Sequence, residues 1–199
     1  MKFRIDLKIL FFLCLFFFSK QLNIYLLVMF FAFLHECAHI IVGKVLGFKV
    51  NQIELMPFGF STQLEANVKE YNKKVKKSNM VELKKIFVVL AGPFINLLIA
   101  IFLCILNKYT EINNINLYIY SNLILFFFNI LPIYPLDGGR LLKSILKIFL
   151  GYLKAEKITK IVTKFIVILL TVISSILILK LKNIAIILIL IYLWFLIWN

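Results

Sequence analysis

The chain has 199 residues, of which 63% are hydrophobic and 16% are charged. A soluble domain typically contains about 45–50% apolar and about 25% charged residues, so this composition excludes a water-soluble globular protein and indicates a membrane protein. The formal net charge is +14, but the lysines form short clusters between apolar runs, which argues against nucleic acid as a partner and indicates membrane topology and contact with anionic lipids.

The apolar runs predict an all-α polytopic membrane protein with about six transmembrane helices, at residues 7–18, 24–46, 83–106, 117–133, 161–179 and 184–198. The first and last runs are shorter than the roughly 20 residues that a straight span needs. Lysine and arginine cluster before the first run, between the second and third, and between the fourth and fifth. The positive-inside rule therefore places both termini in the cytosol.

The polar connection after the second run predicts a short β-hairpin at the membrane face. Residues 50–55 roughly alternate in polarity and precede a Pro/Gly turn at residues 56–60, while residues 67–79 form a solvated Lys/Asn/Glu stretch. We expect residues 1–199 to form a single integral membrane domain without a PDZ or CBS domain.

The second apolar run contains the motif His35-Glu36-Cys37-Ala38-His39, and these are the two histidines of the chain. Positions i and i+4 share one face of a helix, so both imidazoles can bind one Zn²⁺ ion. Glu36 then stands beside the metal as a general base for a water molecule. The alternative is a purely structural polar cluster, which costs about 2.5–3.5 kcal/mol for each ionisable group at membrane depth.

A catalytic zinc ion takes three protein ligands and keeps one open position. Because no third histidine exists, the remaining ligand must be a carboxylate or a thiolate. Asp137 is the predicted ligand, since it follows two helix-breaking prolines at the end of the fourth run, whereas Asp6 lies near the N-terminus. Cys37 is the rival ligand, but at i+2 from His35 it points to another side of the helix.

The third apolar run carries small or polar residues at every fourth position, namely Gly92, Asn96 and Ala100. This spacing predicts a seam along which another helix approaches closely and across which Asn96 donates or accepts a hydrogen bond.

The motifs HECAH, GPFIN and PLDGGR, taken together with MPFG, resemble the site-2 protease family of intramembrane zinc metalloproteases and, in order and spacing, its sporulation branch. The resemblance implies that His35, His39 and Asp137 bind zinc and that Glu36 is the catalytic base. It further implies substrate positioning by Asn96, Asn129 and Pro135, and an active-site entrance near Pro57 and Gly59. Tyr134 stands where many relatives have proline, which we expect to change the shape of the loop more than the chemistry.

The implied activity is hydrolysis of a membrane-tethered protein near the cytosolic face, and the expected substrate is a sporulation sigma-factor precursor at the membrane around the forespore of a bacterial cell. Inhibitory membrane partners and anionic lipids are the further expected partners. Two alternatives remain at this point: a membrane transporter that binds metal at the same residues, and a proteolytically inactive membrane scaffold.

Overall fold

The computed structural model of the chain describes residues 2–5, 7–56, 59–65, 75–110 and 113–181. Contacts divide the chain into two compact units, Met1–Asn129 and Ile130–Asn199. The described residues are mostly helical, and their elements in chain order are β1 (Lys2–Ile5), α1 (Lys8–Phe18), α2 (Leu22–Val45), β2 (Lys49–Met56), β3 (Gly59–Glu65), α3 (Val75–Leu106), α4 (Ile115–Ile130), α5 (Asp137–Leu150) and α6 (Tyr152–Leu181).

The first unit contains a three-stranded sheet in the order β1-β2-β3. Strands β2 and β3 pair antiparallel, with Met56 opposite Gly59, which is the hairpin that the Pro/Gly turn predicts. Strand β1 pairs parallel with β2, with Lys2 opposite Gln52. The sequence did not predict β1, because its four residues have no local turn signal and their partner lies far along the chain.

Helices α2 and α3 pack against each other in the first unit. The seam of α3 is buried as predicted, because Asn96 and Ala100 have relative exposures of 0% and 1%, and Gly92 is also buried. On α2 the facing stripe has the same spacing, with buried residues at every fourth position: Phe31, His35, His39 and Gly43. Gly92 and Asn96 of this seam lie against the two histidines of α2.

Three helical segments of the described residues are long and apolar enough to cross a membrane: Leu22–Val45, Asn79–Leu106 and Tyr152–Ser175. Helices α1 and α4 coincide with predicted spans, but their 11 and 16 residues fall short of a straight span. The last predicted run, 184–198, lies outside the described residues. Six spans are therefore not established by these helices.

Two helices begin earlier than the hydropathy pattern indicates. Helix α3 begins at Val75 instead of residue 83, so residues 75–79 of the predicted solvated stretch are helical, while residues 67–74 lie outside the described part of the chain. Helix α6 begins at Tyr152 instead of residue 161. The added turns are rich in lysine, which is a good helix former that hydropathy does not detect.

The second unit is built on α5 and α6, which pack against each other. The fourth predicted span ends with α4 at Ile130, three residues earlier than expected, and residues 131–136 form turns that contain both prolines. A Cβ atom at Gly138 would collide with the Ile130 carbonyl, and one at Gly139 would collide with the Tyr134 backbone nitrogen. The two glycines therefore let the start of α5 lie directly on the preceding loop.

Candidate metal centre

Helix α2 positions the two histidines on its buried stripe. His35 and His39 each have a relative exposure of 4%, and their Nε2 atoms are 3.1 Å apart. Two nitrogens bound to one tetrahedral zinc ion at 2.0–2.1 Å are separated by about 3.3 Å. The observed spacing is therefore close to what a shared metal ion requires.

The proton of His39 is fixed by a backbone carbonyl. His39 Nδ1 lies 2.7 Å from the Val88 carbonyl oxygen, which can only accept a hydrogen bond, so Nδ1–H is the donor. In the neutral imidazole the other ring nitrogen, Nε2, then carries the lone pair, and this atom faces His35. A carbonyl that accepts a bond from the far side of a metal-binding histidine is the usual way to fix the ring and its tautomer.

Gly92 keeps the space beside both imidazoles open. A Cβ atom on Gly92 would collide with Nε2 of His39 and with Nε2 of His35. Any larger residue would thus occupy the volume next to the two Nε2 atoms. The facing Nε2 atoms and the space beside them fit a metal ion held by His35 and His39.

Glu36 is half-buried on α2 directly after His35. Its Oε2 atom is buried and makes no hydrogen bond to any residue that the structure describes. A buried carboxylate oxygen without a partner is costly, and such groups are concentrated at functional sites. The placement is suited to a base that accepts a proton from a ligand beside the histidines.

Asn96 projects from the seam of α3 onto His35. Its side chain is fully buried, and its Nδ2 atom lies 3.0 Å from Nδ1 of His35. The structure thereby brings His35, His39 and Asn96 into contact in the first unit, and Glu36 directly follows His35 on α2. The predicted role of Asn96 in substrate positioning stays a prediction, because the contact that the structure gives it is with a histidine.

Asp137 is the first residue of α5 in the second unit, and its relative exposure is 6%. Arg140 lies one helical turn further along α5, with its Nη1 atom 3.9 Å from Asp137 Oδ1. Pro135 lies two residues earlier, in the turns before α5. The three predicted zinc ligands, His35 and His39 of the first unit and Asp137 of the second, are each buried.

The remaining predicted site residues have varied surroundings. Asn129 lies at the end of α4, and its Nδ2 donates to the Leu125 carbonyl at 3.0 Å. Gly59 is the first residue of β3, and Pro57 lies outside the described residues. Cys37, the rival zinc ligand, is half-buried on α2.

Two contacts that shape these regions were not predicted. The Val88 carbonyl has no sequence signal, because any residue can present a backbone oxygen at that position. In the second unit the Tyr134 backbone N–H donates to Thr163 Oγ1 at 3.0 Å. Proline at this position would have no N–H, so the departure noted at Tyr134 provides a link between the loop and α6.

Comparison with known proteins gives concordant results. The profile of peptidase family M50 matches residues 23–112 and 108–173. The chain is 37% identical over 131 residues to zinc metalloprotease MJ0392 of Methanocaldococcus jannaschii, covering 63% of this chain and 34% of the relative. It is 27% identical over 127 residues to stage IV sporulation protein FB of Bacillus subtilis, covering 63% of this chain and 41% of the relative. The chain thus spans about a third to two fifths of the length of these curated relatives.

A solved structure extends the similarity over nearly the whole chain. The site-2 protease from Methanocaldococcus jannaschii superposes with a TM-score of 0.73 and 26% sequence identity, covering 99% of this chain and 90% of that structure. The residues matched by the family profile make up more than half of the chain and include both histidines, Glu36 and Asp137. The chain therefore belongs to peptidase family M50, the site-2 protease family.

Proposed function

We propose that this chain is an intramembrane zinc metalloprotease that cleaves a membrane-associated protein near the cytosolic face. The observation that carries the proposal is the pair of buried histidines on α2, whose Nε2 atoms are 3.1 Å apart, with Glu36 directly after His35 in the same helix. His35, His39 and Asp137 would hold one zinc ion. Family membership and the burial of all three side chains support this ligand set.

Glu36 and the Val88 carbonyl would have separate roles in hydrolysis. A bound zinc ion would supply an acidified water molecule and an electrophile for the scissile carbonyl. Glu36 would take the proton of the attacking water and pass it to the departing amine, for which its unpartnered buried oxygen is suited. The Val88 carbonyl would keep His39 in the required tautomer throughout.

The sheet supports a site for an extended substrate at β3. A substrate strand would not add to β2, because β2 already has β1 on one side and β3 on the other. Strand β3 pairs only with β2 among the described strands, and it packs against α2, which carries the zinc motif. A substrate segment added to the free edge of β3 would be held extended, as cleavage of a peptide bond requires.

Topology and partners are proposed from charge. Both termini would lie in the cytosol with six spans, as the positive-inside rule predicts. Anionic lipids would contact the basic face of α5, where Lys143 Nζ lies 5.0 Å from the Tyr134 ring and Lys147 Nζ lies 5.2 Å from the Tyr152 ring. Replacing both lysines by Gln should lower the amount of anionic lipid retained on purification, and unchanged retention would refute this contact.

The substrate would be an inactive sigma-factor precursor of a sporulating bacterium, released from the membrane around the forespore, and inhibitory membrane partners would control its release. Similarity to stage IV sporulation protein FB supports this choice. Co-expression with membrane-tethered proteins of the same genome would test it. Cleavage of other tethered proteins, with the precursor left intact, would exclude the sporulation role but retain the protease.

Replacing Glu36 by Gln tests the protease itself. The amide cannot accept a proton, so cleavage should fall by at least about 100-fold, while zinc content stays unchanged. Glu156→Gln is the matched control, because Glu156 pairs with Lys160 on α6, in the second unit. This variant should cleave the substrate like the wild type. Cleavage by Glu36→Gln at the wild-type rate would refute the mechanism.

A further inference from the structure

Two arrangements of the ring protons are compatible with the contacts of His35 and His39 with Val88, with Asn96 and with each other. His39 has one tautomer in both, because the Val88 carbonyl accepts from its Nδ1–H. In the first arrangement Asn96 Nδ2–H donates to His35 Nδ1, and His35 Nε2–H donates to His39 Nε2. In this arrangement His35 Nε2 carries a proton and cannot bind a metal ion.

In the second arrangement the His35 proton is on Nδ1, and both Nε2 atoms present lone pairs to a metal ion. His35 Nδ1–H then needs an acceptor at the place where Asn96 Nδ2 lies, 3.0 Å away. Rotation of the Asn96 amide by a half turn would bring its Oδ1 to that place. The amide oxygen and nitrogen have nearly the same shape, so the rotation needs no change in packing.

The surroundings of Asn96 permit this rotation. Its side chain has a relative exposure of 0%, and its Oδ1 atom makes no hydrogen bond to the described residues. Turning the amide therefore breaks no hydrogen bond made by Oδ1. The bond to His35 is kept in both orientations, with the donor on Asn96 in one and on His35 in the other.

We propose that Asn96 is a positioning residue for His35. The Asn96 amide hydrogen-bonds to either tautomer of His35, and it rotates when a metal ion binds to the Nε2 atoms. This inference rests on the metal site proposed above. It explains why an amide suits the position: a carboxylate could only accept, and an apolar side chain would leave His35 Nδ1 without this partner. His39 needs no rotating partner, because the Val88 carbonyl already selects its metal-binding tautomer.

The two histidines make a direct test possible, because ¹⁵N-histidine labelling gives signals from two imidazoles only, provided that the affinity tag contains no histidine. In the detergent-purified wild-type chain stripped of metal, His35 should carry its proton on Nε2 and His39 on Nδ1. After addition of Zn²⁺ both should carry it on Nδ1. A His35 proton on Nδ1 in both conditions would overturn the proposal.

Three variants separate positioning from packing. Asn96→Leu removes both hydrogen-bonding groups at similar volume and should weaken zinc binding by about 10–100-fold, the usual effect of losing such a partner. Asn96→Asp keeps the acceptor, so it should keep the His35 proton on Nδ1 without metal and bind zinc at least as tightly as the wild type. Asn122→Leu is the matched control, because Asn122 is equally buried but donates to Tyr118 of its own helix.

The outcomes distinguish this inference from the proposed function. If the wild-type chain binds no zinc, the metal site itself is wrong and the role of Asn96 falls with it. If the wild type binds zinc and Asn96→Leu binds it as tightly as Asn122→Leu, Asn96 is not a positioning residue although the metal site stands. If Asn96→Leu fails to fold, the ring-proton positions of the wild type and the zinc affinity of Asn96→Asp still test whether Asn96 positions His35.

Discussion

At the scale of single residues, the histidine pair depends both on spacing within one helix and on packing between two helices. The spacing of His35 and His39 places them on one helical face, and the structure has both on the buried stripe of α2. The Val88 carbonyl and the contact of Asn96 with His35 depend on how α2 and α3 pack. No local pattern encodes these contacts, because they join residues 49 and 61 positions apart.

Replacement of Gly92 tests whether the space beside the two histidines is the position of the metal ion. Gly92→Ala places a methyl group against Nε2 of both histidines, so zinc binding should fall by at least about 10-fold unless the helices separate. Leu98→Phe is the control on the same helix, because Leu98 is 43% exposed and has room for a larger ring. Calorimetric zinc titration of both variants is the measurement, and wild-type affinity in Gly92→Ala would show that this space is not the metal position.

At the scale of elements, hydropathy finds the apolar core of each long helix but not its ends. The helices that begin at Val75 and Tyr152 extend the apolar runs with lysine-rich turns, which form helix without being apolar. The hairpin was predictable because Pro57 and Gly59 mark its turn. Strand β1 was not, since a four-residue strand acquires its structure from its distant partner β2.

Gly59 tests the role of the sheet in receiving substrate. Gly59 begins β3 opposite Met56, and a tryptophan there should hinder the approach of a second backbone to the strand. We expect Gly59→Trp to reduce cleavage while zinc content stays at the wild-type level. The assay pairs a cleavage time course with metal analysis of the same preparation. Loss of zinc would instead mean a disturbed metal site, and full cleavage would mean that substrate enters elsewhere.

At the scale of the whole molecule, charge predicts orientation and the structure supplies one constraint on it. The parallel pairing of β1 with β2 requires the N-terminal residues and the hairpin to lie on the same side of the membrane. The number of spans could not be read reliably from the sequence, because runs of 11 or 16 helical residues are ambiguous between spanning and buried helices.

Cysteine labelling tests this arrangement. Single cysteines at Lys2 and at Glu65, introduced after replacement of the three native cysteines by serine, should both react with a membrane-impermeant reagent from the cytosolic side. Labelling of the two positions from opposite sides would contradict the parallel pairing of β1 with β2. Labelling of both from the outer side would keep the pairing and reverse the predicted orientation.

The central claim is that His35, His39 and Asp137 hold one catalytic zinc ion, and the zinc content of the purified chain tests it most directly. The wild type and Cys37→Ser should each contain about one zinc ion per chain, while alanine at any of the three ligands should lower that content several-fold. Asp137→Ala with full zinc content, together with loss of zinc in Cys37→Ser, would contradict the assignment.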